Sequence, residues 1–232
     1  MIIENIRVYG ILDAIRGMRN PLNSWAKNDT TCEFDPNTGS VVSVKFGPND
    51  TKLCKALTTG GQPHRKFLRQ ISVIMDITAP TYWWAEMDTY KIATTRNSCS
   101  VQHKGSSRDF TTDDFTIECM GNESPEPTVL DKTDFQKIFF DAKTIIDIVN
   151  RWRKAYVATK DYTYFRLMRQ FLPMGYNYKA TWSANYETLL NIYEWRKNHK
   201  LKEWHKLCHV IESLPGMDMF IDAIKKPTTT NP

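Results

Sequence analysis

Between Thr133 and Leu214 the apolar residues recur at helical spacing in four successive segments, which commits this half of the chain to packed helices. Phe135, Ile138, Phe139, Ala142, Ile145, Ile146, Val149 and Trp152 form the first stripe, and Thr133 with Gln136 supplies a capping box at its start. A second helix is predicted from about Tyr162 to Phe171, before Pro173, and a third from about Asn185 to Arg196. Leu201, Trp204, Leu207, Cys208, Ile211 and Leu214 mark the fourth.

The preceding half reads differently. Ile2 to Leu12 is predicted as a strand running into a helix, with Ile3, Ile6, Val8 and Ile11 as core positions. Pro36 and Gly39 place a hairpin turn within Cys32 to Phe46, ahead of alternating valines. Asn49 and Asp50 offer an N-cap for a short helix that ends at Gly60 and Gly61. Ile71 to Ile77 is rich in strand formers, and Pro80 opens a helical pattern carried on through the following residues to the threonines at 94 and 95. Gly105 to Pro127 is polar and weakly patterned, a surface excursion with one short strand at Phe115 to Met120. The sum is an α+β fold: a helix-rich single domain over residues 1–226 with a modest, mostly antiparallel sheet, a polar insertion near 105–127 and a disordered tail at 227–232.

Composition narrows the function. A net charge of +5 can attract phosphates but is not the concentrated basic stripe of a nucleic-acid binder, so no direct nucleic-acid binding is expected. No apolar run reaches the ~18 residues of a membrane span, and the N-terminus lacks the pattern of a signal peptide. The cysteines at 32, 54, 99, 119 and 208 are odd in number, widely spaced and without a CxxC pair, which fits a reducing cytoplasm.

Several residues invite chemical readings. Arg16 and Arg19, beside a turn, can hold an anion or simply face solvent. His205 and His209 stand at i, i+4, a spacing that suits a metal, yet no HExxH frame surrounds them and no metal is expected. Cys99 beside Arg96 is either an activated thiolate or a small buried residue. Nucleophile elbow, phosphate loop and dinucleotide fingerprint are all absent. What remains is arginine suited to phosphate (Arg169, Arg196), asparagine suited to a pyrimidine edge (Asn185, Asn191) and the flat rings of Tyr82, Trp83, Trp84 and Tyr90.

The order of these pieces resembles the flavin-dependent thymidylate synthases. The stretch from Pro63 to Gln102 lies along the family pattern, in which a turn histidine, a β-rich segment and a helix lead to an arginine-rich motif. His64 falls on the histidine that neighbours the flavin, Ala79-Pro80 on a pair found in some members, and Lys91-Ile92-Ala93-Thr94 on the centre of the motif. Further on, Arg169 falls on an arginine contacting the nucleotide, Asn185 and Asn191 on asparagines of the flavin helix, and Arg196 on the closing arginine of the nucleotide site. The chain also departs from the pattern. Thr89 and Tyr90 replace the first Arg and His, Lys91 the second Arg, and Asn97, Cys99 and Val101 the later Glu, Ser and Arg. Glu187 replaces an arginine beside Asn185.

The resemblance spans about residues 50 to 225 and implies reductive methylation of dUMP to dTMP, with FAD as cofactor and methylenetetrahydrofolate and NADPH as co-substrates. It implies no protein nucleophile: Arg196 positions the substrate, His64, Lys91, Thr94, Asn185 and Asn191 hold the cofactor, and Arg169, Arg196, Lys91 and Cys99 bind the substrate. A pyrimidine deoxynucleotide partner, a homotetramer with sites shared between chains and a cytoplasmic location follow from it. The alternatives are a non-catalytic or repurposed homologue that binds a pyrimidine nucleotide or a protein, and an unrelated helical binding protein.

Overall fold

The computed structural model describes residues 1–100, 105–117 and 132–225, with side chains in the first turns of the helix beginning at Lys132 described at 137 and from 140 onward. The predicted tail at 227–232, Val101, Cys119, most of the Phe115–Met120 strand, the Thr133–Gln136 capping box and the stripe positions Phe135, Ile138 and Phe139 lie outside the described residues.

The elements run in the order β1 (Ile2–Tyr9), α1 (Ile11–Gly17), β2 (Thr31–Phe34), β3 (Val41–Lys45), α2 (Pro48–Thr59), β4 (Ser72–Pro80), α3 (Thr81–Met87), β5 (Thr95–Ser98), α4 (Lys132–Thr159), α5 (Tyr162–Gln170), β6 (Asn177–Asn185), α6 (Tyr186–Arg196), α7 (Lys202–Ser213) and α8 (Met217–Lys225). This is the expected helix-rich α+β class. One four-stranded sheet has the order β1-β4-β6-β5, and β2 pairs with β3 in a separate antiparallel hairpin. Tyr186 N donates to Ile71 O (3.1 Å) and Thr81 N to Tyr176 O (3.0 Å), so β4 and β6 run antiparallel. Both strands bury alternate residues: Val73, Met75, Ile77 and Ala79 on one, Ala180, Trp182 and Ala184 on the other.

The chain forms two compact units, one of residues 1–2, 78–89 and 97–180, the other of 3–77, 90–96 and 181 onward. In the first, α4 and α5 enclose Phe110, Phe115, Ile146, Val149, Phe165 and Met168. Phe110 is anchored twice, its N–H donating to Asn150 Oδ1 and its carbonyl accepting from Asn150 Nδ2, both at 2.8 Å. Arg153 pairs with Asp109 and donates to Ser106 O. The described part of the polar 105–127 stretch is therefore bolted to a helix rather than an excursion over the surface.

In the second unit Trp204, Tyr186, Phe220, Ile11, Ile15, Leu68, Ile71, Met75 and Ile77 are fully buried. The start of α2 shows how distant residues finish a local element. Asp50 is not its cap; Gly47 holds the N-cap position, and Asp29 reaches across to accept from Asn49 N and Asp50 N, both at 2.9 Å. Burial opposes the Asp29 charge, but the two amides and Arg19 outweigh it and hold the carboxyl below its ordinary range. A Cβ at Gly47 would meet Asp29 Cγ at 2.2 Å, so the approach needs glycine.

Two expectations change, and one strand is added. Ile6 is 37% exposed rather than core, while Val8 two residues on is buried. The helix after Pro80 stops at Met87; Ala93 then adopts φ 57° and the chain turns into β5. Strand β6, entered after Pro173, fills the stretch between Phe171 and Asn185 for which no element was predicted.

Candidate functional site

Helix α6 is where the charged and aromatic residues converge. Asn185 is its N-cap, Oδ1 accepting from Thr188 N at 2.9 Å, which leaves the amide nitrogen without a partner among the described residues. Leu189, Leu190, Ile192 and Tyr193 turn into the core. Asn191 is half-buried, and Arg196 ends the helix.

Arg196 is held from two directions. Nε donates to the Tyr90 hydroxyl at 2.8 Å, and the guanidinium carbon lies 4.5 Å from the Trp204 ring centroid and 5.5 Å from that of Tyr90. The two rings meet edge to face at 5.8 Å. Cation–π attraction of ~0.5–2 kcal/mol keeps a long, flexible side chain at one height. Lys91 follows Tyr90 and is exposed, while Thr94 is half-buried and donates through Oγ1 to Tyr90 O at 2.6 Å. Thr188 Oγ1 donates to Ile92 O at 3.3 Å. The 90–94 turn is thus tied to α6 near both ends of the helix.

A second charged arrangement sits at the start of α6. Glu187 is 5% exposed, and Arg65 Nε approaches Oε1 at 3.7 Å, too long for a hydrogen bond. Both Glu187 oxygens, with Arg65 Nε and Nη1, are buried without a hydrogen-bond partner. Burial pushes the Glu187 carboxyl up; Arg65 and Arg69 pull it back without cancelling the rise.

The other sequence-predicted residues are more scattered. His64 is exposed on the rim of a cleft of about 570 Å³ lined by Gly17, Asn20, Leu57, Lys66, Phe67 and Gln70, among others. Arg169 and Cys99 belong to the other unit: Arg169 is exposed in the last turn of α5, beside Arg166 and Tyr162. Cys99 is exposed with a free thiol, its N–H donating to Lys179 O at 2.9 Å. Arg19 does not await an anion, since it is buried against Asp50. His205 Nε2 lies 2.6 Å from His199 O, and His209 pairs with Glu212 at 3.2 Å. Among the described residues no group of three or more His, Cys, Asp or Glu side chains is placed to hold a metal, and no helix is long and apolar enough to cross a membrane.

Sequence reasoning treated Trp204 as core and Tyr90 as a lost imidazole, and missed their joint hold on Arg196. Two aromatics flanking an arginine in the sequence, at eight residues in one case and over a hundred in the other, give no local signal. Arg65 and Glu187 are equally remote in sequence.

The fold and this helix define a class: the chain has the flavin-dependent thymidylate synthase fold. It superposes on a flavin-dependent thymidylate synthase from Helicobacter pylori complexed with FAD and dUMP, with TM-score 0.62 and 15% identity over 97% of this chain and 100% of that one. A second structure of thymidylate synthase X from that organism, also with FAD and dUMP, gives TM-score 0.60, 14% identity and the same coverage. A UMP/dUMP methylase from Streptomyces cacaoi bound with 5-bromo-dUMP gives TM-score 0.64 and 11% identity over 96% of this chain and 93% of that one. No protein-family model and no curated protein sequence matches the chain.

Proposed function

We propose that this protein modifies C5 of a pyrimidine deoxynucleotide, converting dUMP to dTMP by reductive methylation with methylenetetrahydrofolate and NADPH, using FAD. The observation that carries the proposal is the Arg196 guanidinium fixed by Tyr90 and Trp204 on α6, in a fold shared with structures solved around dUMP or its 5-bromo analogue. A guanidinium held in one orientation suits a phosphate monoester, with Lys91 on the neighbouring turn adding a second positive charge. Arg169 and Cys99 complete the proposed substrate contacts, within a homotetramer whose sites are shared between chains, and the cytoplasm is the proposed compartment.

The donor set fits a flavin nucleotide. Asn185 has an unused amide nitrogen, Asn191 is half-exposed on the same helix, and Lys91 and His64 are accessible groups suited to carbonyl or phosphate oxygens. Together with Thr94 these are the proposed FAD contacts. When bound, FAD supplies the electrons and the relay for the one-carbon unit. The protein's own residues orient the nucleotide, balance its charge and exclude water, and none need act as a nucleophile.

One observation favours a second reading. Glu187 places a buried carboxylate, paired only loosely with Arg65, where the sequence resemblance has an arginine. A homologue that keeps the nucleotide end and has abandoned the flavin end is the alternative. Purified protein that turns yellow, or takes up added FAD with a flavin absorbance spectrum, supports the first reading; colourless protein that takes up none removes it. Tritium release from 5-labelled dUMP with folate and NADPH tests turnover. Arg196→Ala should weaken dUMP binding at least about tenfold, the loss of one charge-assisted contact.

A further inference from the structure

We propose that Tyr90 governs the nucleotide end of the site in two ways: its phenol oxygen fixes the direction of Arg196, and its own proton is donated to the anion that Arg196 receives. The inference rests on reading the site as one for a pyrimidine nucleotide.

A phenol has one hydrogen to donate and can accept through its oxygen. At Tyr90 the oxygen accepts from Arg196 Nε at 2.8 Å, and the hydroxyl proton has no acceptor among the described residues. The ring is half-buried rather than part of the fully buried core, so the hydroxyl stays within reach of a ligand. Trp204 sets the height of the guanidinium at 4.5 Å, while the Nε bond stops it from rotating in its own plane. Together they fix the height and the in-plane orientation at which Arg196 presents its guanidinium. An oxygen of a phosphate monoester brought against that guanidinium meets an O–H donor alongside the N–H donors.

The backbone is built to keep Tyr90 there. Thr94 Oγ1 donates back to Tyr90 O at 2.6 Å, and Ala93 closes the turn at φ 57°. Thr188 Oγ1 binds Ile92 O at 3.3 Å, eight residues before Arg196 on α6, a rise of about 12 Å along the helix. The turn is therefore gripped at two places along one helix. A side chain serving only to fill space would need neither grip nor hydroxyl.

The test uses the full chain labelled with ¹⁵N. The Arg196 Nε–H resonance is assigned by its loss in Arg196→Lys, and its solvent exchange is compared in wild type and Tyr90→Phe. In parallel, calorimetry measures binding of dUMP and of deoxyuridine, which lacks the phosphate. The clamp predicts slow exchange in wild type and at least about tenfold faster exchange in Tyr90→Phe. The ligand contact predicts about tenfold weaker dUMP binding with deoxyuridine binding unchanged. Equal exchange rates overturn the clamp, and equal dUMP affinities overturn the ligand contact. If wild type binds neither compound, the reading of the site falls and the ligand contact with it, while the exchange rates still decide the clamp. Should Tyr90→Phe fail to fold, Tyr90→His replaces it, and rapid Nε–H exchange in wild type is enough to overturn the clamp.

Discussion

Two buried arginine–carboxylate pairs lie in the same unit and could hardly be more different. Asp50 is fully buried and uses both oxygens: Oδ1 accepts from Arg19 Nε at 2.8 Å and Nη2 at 2.5 Å, and Oδ2 from Asp29 N at 2.8 Å and the Thr30 hydroxyl at 2.7 Å. Glu187 and Arg65, with side chains 7% and 11% exposed, stand 3.7 Å apart and make no hydrogen bond to each other. Burial alone therefore says little about what an ion pair contributes. A charge taken out of water costs several kcal/mol, and only a full set of partners offsets that cost. Asp50 has the set and belongs to the scaffold. Glu187 lacks it, sits on the helix that carries the proposed ligand site, and leaves local stability unspent there.

The largest effect expected from this contrast is at Asp50. Asp50→Ala leaves Arg19 buried without its partner and should cost about 3–5 kcal/mol in urea unfolding. Cys54 gives an independent reading: burial, with Asp50 adding to it, pushes its thiol up to about 12, so it should resist alkylation at pH 8 in wild type and label faster in Asp50→Ala, where the lesser of the two causes is gone and the surrounding core is loosened. A cost below about 1 kcal/mol would erase the distinction between the two pairs.

Next comes the double replacement Arg65→Met with Glu187→Leu. Removing both charges together should be neutral or stabilise by about 1 kcal/mol or more, whereas Arg19→Met with Asp50→Leu strips amides and a hydroxyl of their acceptor and should destabilise. If the Arg65–Glu187 double variant lost as much as the Arg19–Asp50 one, the pairs would be equivalent. The smallest effect is in pH. Because the Glu187 carboxyl titrates higher in the folded chain than in the unfolded one, its contribution is fully present below the ordinary glutamate value of ~4.3 and fades as pH rises through the raised one. Glu187→Gln should flatten the fall in stability across that window, measured as urea midpoints over a pH series. An unchanged slope would place the titration elsewhere.

How far the sequence disclosed all this depended on distance along the chain. The helical stripe Trp204, Leu207, Cys208 and Ile211 is local, and all four residues are buried in α7. The hairpin turn was readable because Asp35, Asn37 and Thr38 make their bonds within four residues. By contrast, β6 was missed because no element was assigned between Phe171 and Asn185, although Ala180, Trp182 and Ala184 alternate with Thr181 and Ser183 as a strand should. Asn185 was singled out in the sequence as a candidate flavin contact, but its role as a helix cap requires knowing that the helix begins one residue later. The clamp on Arg196 was beyond reach, since it depends on Tyr90 being 106 residues away.

The reach of Asp29 to the start of α2 has a consequence for the order of assembly. A helix usually closes its first turn with a side chain from its own N-terminus, within nanoseconds to microseconds. Here the acceptor arrives from 20 residues upstream, with the β2–β3 hairpin in the intervening chain. α2 is then a late passenger of the hairpin, its first turn secured only after that loop has closed. Asp29→Ala should then speed the unfolding of α2 while leaving the hairpin's own closure unchanged.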